Sequence, residues 1–126
     1  MSSIKFMKRY IIAFSSKNVS KIVPFYSYPL TILDKNPYNK DPHIIINNQK
    51  QLKNYFGNLY KILIKMFNYK KTVIKKIKII KDSSNYCVIE AYAARIDKEN
   101  KVFNKIKILY FLKKNKNGYK INSFVV

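Results

Sequence analysis

The stretch VFNKIKILYFLKKNKNGYKI, residues 102–121, alternates through residues 102–114, stops at Asn115-Lys-Asn-Gly118 and resumes at Tyr119. Period-two alternation is the pattern of a strand, and an Asn-Gly step between two such runs is hairpin chemistry. Two earlier runs, residues 72–81 and 86–97, are strand-like as well, with the separators Asp82-Ser-Ser-Asn85 and Asp97-Lys-Glu-Asn100. Together with residues 119–126 they predict a four-strand antiparallel meander. Apolar residues lie on both of its faces: Ile106, Ile108, Tyr110 and Leu112 alternate with Phe103, Leu109 and Phe111 as well as Lys105 and Lys107. A single sheet layer covered by helices on one side needs one apolar face, so the second is expected to be covered in a symmetric homodimer.

The half before the meander has the helical period. Ile4, Met7, Ile11 and Phe14, widened by Tyr10, form one stripe over residues 4–14, with Lys5, Lys8 and Arg9 largely off it. A second short helix, capped by Ser15 or Ser16, carries Val19, Ile22, Val23 and Tyr26 until Pro24 ends or kinks it. Leu30 and Ile32 against Thr31 and Leu33 predict a strand ending at Asp34, DKNPYNKDP at residues 34–42 is a loop, and residues 43–47 form a short return strand. Asn47 or Asn48 caps the longest helix, which runs to about Met66 with Leu52, Phe56, Leu59, Leu63 and Met66 on its stripe.

Helix, helix, strand pair, helix and meander is an α+β order, with three N-terminal-half helices packed on a curved antiparallel sheet. The segments AFSSKNVSKIVPFY, the strand led by Pro29, NNQKQLKNYF and YFLKKNKNGYKI resemble those of the nuclear transport factor two-like, or SnoaL-like, superfamily over nearly the whole chain. Tyr119 stands where that superfamily commonly has tryptophan. The resemblance implies one SnoaL-like domain over residues 1–126, a cone-shaped pocket and a homodimer. It does not choose an activity, because the superfamily holds isomerases, dehydratases, cyclases, transport adaptors and many proteins of unknown role.

Composition narrows the chemistry. The chain has 126 residues, 48% of them hydrophobic, and two glycines, which argues for one folded core rather than disorder. Its lone Cys87 excludes an intramolecular disulfide and a cysteine metal cluster and fits a reducing, cytoplasmic setting; no stretch approaches a membrane span. The formal charge is +20, yet only two of 26 basic residues are arginine, and the lysines are dispersed among Ile, Asn and Tyr. This reads as a compositional excess, with nonspecific polyanion binding as its functional alternative and no specific nucleic-acid motif. No cofactor is implied, since neither a phosphate-binding glycine loop nor metal-ligand spacing occurs.

Few groups are left for a site. The corner FYSYP at residues 25–29 places Tyr26 in the core and offers the Tyr28 hydroxyl to a ligand. In CVIEAYAAR, the set Cys87, Ile89, Ala91, Ala93 and Arg95 is the more apolar and is assigned to the concave face, with Arg95 at the open end to clamp an anionic group. The opposite register would bring in Glu90 and Tyr92, and alternation alone leaves that open. Ile106, Ile108, Tyr110 and Leu112 are assigned to the same concave face. The expectation is a binder of a small apolar or anionic molecule, with Tyr28, Arg95 and Tyr110 at the ligand. The alternative is a cofactor-free isomerase, dehydratase or cyclase with His43 or Glu90 transferring the proton.

Overall fold

The computed structural model describes residues 1–34 and 41–126. Helix α1, Ser3–Ser15, starts where the Ser2 side chain accepts the Lys5 N–H at 3.1 Å. It buries Phe6, Met7, Tyr10, Ile11 and Phe14, so Phe6 rather than Ile4 completes the stripe. Helix α2, Val19–Ile22, is capped by Asn18, not by Ser15 or Ser16, and runs into a 3-10 turn, Val23–Phe25, that contains Pro24. Tyr26 therefore leaves the helical stripe and opens strand β1, Tyr26–Leu33. Residues 35–40 of the expected loop lie outside the described residues; strand β2, His43–Ile46, pairs antiparallel with β1.

Helix α3, Gln49–Phe67, is held at its start by a reciprocal pair of bonds: Asn48 accepts from the Gln51 N–H at 2.9 Å and Gln51 accepts from the Asn47 N–H at 2.8 Å. It ends at Asn68, whose φ of 56° is the left-handed conformation that Asn tolerates. Leu52, Phe56, Tyr60 and Leu63 are buried, whereas Met66 is 72% exposed. Tyr60 follows Phe56 at i+4 and continues the stripe that Met66 would have closed; its hydroxyl donates to the Phe14 carbonyl at 2.7 Å and satisfies the end of α1.

The four C-terminal strands are β3, Tyr69–Asp82, β4, Tyr86–Asp97, β5, Val102–Asn115, and β6, Gly118–Val125. The sheet order is β2-β1-β6-β5-β4-β3, with helices packed on one face. Every pairing is antiparallel except β1 with β6, which is parallel, so the sheet is mixed rather than purely antiparallel. The edge strand β3 carries six lysines, Lys70, Lys71, Lys75, Lys76, Lys78 and Lys81, a charge pattern that keeps a long exposed edge from recruiting another strand.

Candidate functional site

The inner face of the sheet is built in rungs fixed by strand register. At the open end Thr72, Arg95 and Asn104 stand side by side on β3, β4 and β5. The next rungs are Ile74, Ala93 and Ile106, then Ile77, Ala91 and Ile108, and deepest Ile79, Ile89, Tyr110 and Phe124. The two alanines are the short members of otherwise bulky rungs. Helices α1 and α3 arch over them with Tyr10, Phe14, Phe56 and Leu59, leaving a cavity of about 400 Å³. That volume falls in the range of small-molecule sites, about 300–1,000 Å³. A second hollow of about 660 Å³ outside it shares Asp34, Tyr55, Leu59, Arg95 and Asn104, and its outer wall includes Phe67 and Phe103, whose rings stack at 5.1 Å. Arg95 thus stands at the passage between an apolar interior and an outer mouth.

The polar groups of the interior are phenols. Tyr10 and Tyr26 hydrogen-bond each other through their hydroxyls, and the Tyr10 ring meets Tyr110 edge-on at 6.0 Å. Burial pushes the Tyr110 phenol well up, with Arg95 opposing the shift, and among the described residues no hydrogen bond acts on it. Tyr10 and Tyr26 are raised chiefly by burial too. Tyr55 at the mouth is pushed up to about 12 by burial first and then by the Asp34 carboxylate, against the pull of Arg95. These phenols are neutral donors at physiological pH. The Arg95 guanidinium is lowered by burial; phenols of Tyr69, Tyr110, Tyr10 and Tyr55 oppose that shift, and its Nε is buried with no hydrogen-bond partner among the described residues. A buried donor without a partner is costly, which marks it as a group that a bound acceptor would satisfy.

The sequence-derived candidates separate. Arg95 and Tyr110 both line the cavity. Tyr28 is not among the lining residues; it packs at the edge of the core, with its hydroxyl buried and without a hydrogen-bond partner among the described residues. The β1–β6 pairing is irregular across this corner, with a register shift between Tyr26 and Thr31. Glu90 belongs to the opposite face of β4, where it accepts the Tyr92 hydroxyl at 2.6 Å beside Lys78 and Leu109. The reversed register is thereby excluded. His43 is exposed on β2 and absent from both linings. Asn104, Tyr55 and Asp34 are mouth residues that the sequence reading passed over. For Asn104 a signal existed: it shares the parity of Ile106, Ile108 and Tyr110, two positions earlier. Among the described residues no group of three or more His, Cys, Asp or Glu could hold a metal ion, and no helix is long and apolar enough to cross a membrane.

Comparison with the curated proteins finds no match. Solved structures do share the fold. A protein of unknown function with a cystatin-like fold from Nostoc punctiforme superposes with a TM-score of 0.72 at 9% identity, over 97% of this chain and 84% of its own. An NTF2-like protein with a cystatin-like fold from Novosphingobium aromaticivorans gives 0.72 at 5% identity, over 96% and 75%. A ketosteroid isomerase-like protein from Erwinia carotovora atroseptica gives 0.61 at 13% identity, over 96% and 88%. At these identities the likeness is one of fold. The sequence itself matches the family described as NTF2-like protein (DUF6841) over residues 3–126, and the chain belongs to that family.

Proposed function

We propose that this NTF2-like protein, one SnoaL-like domain over residues 1–126, binds a small molecule in the apolar pocket between its helices and its curved sheet. The observation that carries this reading is the cavity of about 400 Å³ whose apolar walls converge on two polar side chains, Arg95 and Tyr110. Such a combination supplies binding energy through the walls and orientation through the donors. Catalysis has less support. Glu90 faces away from the cavity and His43 lies outside it, and the carboxylate in the lining is Asp34, at the mouth rather than beside the deep phenols. No cofactor enters this reading. The test is native mass spectrometry of the purified protein, followed by comparison with Tyr110→Phe. A retained small molecule whose occupancy falls in the variant supports binding at this cavity; equal retention by both proteins places the molecule elsewhere.

The outer sheet face supports a homodimer. Its pairs Val88 with Phe111 and Leu109 with Val125 form an apolar patch on β4, β5 and β6, with Glu90 beside Leu109. Toward β3 the same face becomes basic, with Lys76, Tyr92 and Lys107 in one rung. A partner centred on Phe111 and Leu109 would cover the apolar part and leave the lysines in water. The buried, unpaired Cys87 is in keeping with a cytoplasmic location.

A further inference from the structure

The reading of the cavity as a binding site leaves the chemical class of its occupant open, and the rung order narrows it. Arg95 and Asn104 lie in register at the mouth, and the Tyr110 phenol lies in the deepest rung. The two rungs below, built on Ala93 and Ala91, offer only hydrocarbon. A ligand that fits this order has an apolar body and one polar head. The head meets a guanidinium whose Nε is buried and has no hydrogen-bond partner among the described residues, next to Asn104. A guanidinium presents two or more parallel N–H groups, the geometry that a planar carboxylate accepts. Asp34 also lines the mouth.

We infer that the cavity takes a lipophilic monocarboxylic acid, with the chain packed over Ala91 and Ala93 and the carboxylate held by Arg95 at the passage to the outer hollow. Anion binding by the lysine-rich surface is a separate matter, and the experiment must tell the two apart. Decanoate and decanol have the same chain and differ in the head, so they serve as probes, below their aggregation concentrations, with isothermal titration calorimetry as the readout. Wild type is expected to bind decanoate at least about tenfold more tightly than decanol, as a charge-assisted pair gives. Arg95→Met and Arg95→Gln are expected to bring decanoate down to the decanol value while leaving decanol within about twofold. Ala93→Leu, which fills the rung, should weaken both probes. Circular dichroism melts identify any variant that fails to fold, and the wild-type comparison of the two probes needs no variant. Equal binding of decanol and decanoate by wild type overturns the carboxylate assignment and leaves the cavity reading standing. A decanoate preference that survives both Arg95 substitutions assigns it to surface lysines and also overturns it. Binding of neither probe removes both readings.

Discussion

Removing one buried hydroxyl is expected to change how stability responds to alkali. Tyr10, Tyr26, Tyr60 and Tyr110 are each at most 4% exposed, and burial is the first cause of the upward shift of each phenol. In the unfolded chain a phenol titrates near 10. Above that pH the unfolded state has lost protons that the folded state keeps, so folding stability is fully present below about pH 10 and falls as pH rises. For one phenol that stays protonated in the fold, the loss at pH 11 is about 1.4 kcal/mol, and four together give about 6 kcal/mol. That is comparable with the whole stability of a small domain, about 5–15 kcal/mol. The absolute curve of a chain at +20 also carries its self-repulsion, and the difference between wild type and Tyr110→Phe isolates the phenol. Among the described residues the Tyr110 hydroxyl makes no hydrogen bond, so urea denaturation followed by circular dichroism should place the two within about 1 kcal/mol at pH 8. At pH 11 the variant should have gained about 1.4 kcal/mol relative to wild type. Parallel pH profiles for the two proteins would mean that this phenol ionises in the folded state, and the cavity interior would then be wet.

Three further outcomes are expected. Duplex DNA and RNA should bind weakly, without sequence preference, and lose affinity steeply as salt rises, because counterion release supplies the interaction; a filter-binding series that keeps a sequence preference near physiological salt would contradict this. Sedimentation at micromolar concentration should give a dimer for wild type and a monomer for Phe111→Glu, which places a charge in the apolar part of the outer face; a wild-type monomer would remove the interface. Gly118 has φ of 121° at the β5–β6 turn, so Gly118→Ala should cost about 1 kcal/mol or more in chemical denaturation although a Cβ there would meet nothing within 4 Å. An unchanged midpoint would show that the turn readily adopts another conformation.

The alternating runs were the most legible part of the fold. The range of β4 needs no adjustment, and β3, β5 and β6 differ at their ends, because side-chain period and turn chemistry are local properties. The parallel insertion of β1 beside β6 was not legible, since it depends on contacts between the two ends of the chain. The stripes of α1 and α3 were readable in phase but not at their ends: Ile4 and Met66 have the right spacing, yet Ile4 is only half-buried and Met66 is exposed. For the site, β4 parity carried Arg95 to the inner face and Glu90 to the outer one, and β5 parity did the same for Tyr110. Tyr28 shows the limit of reading a corner: its place before Pro29 does not bring it into the cavity lining, and the register shift between Tyr26 and Thr31 is invisible in sequence. Tyr55 and Asp34 join the mouth only through the packing of α3 and the end of β1 over the sheet.

The position of β6 has a consequence for how a nascent chain becomes this protein. Strands β1 and β2 leave the ribosome early, yet their neighbour in the finished sheet is the last of the six to be synthesised. Until residues 118–125 emerge, β1 and β2 are an isolated two-stranded ribbon, which is marginal in water, and β5 ends the meander with an unpaired edge. A ribosome stalled one strand short would display two open edges at once, and these are the surfaces through which incomplete sheets join one another. Completion of the sheet therefore waits for its last strand, and the interval before that strand emerges is the period in which the chain is most exposed to aggregation.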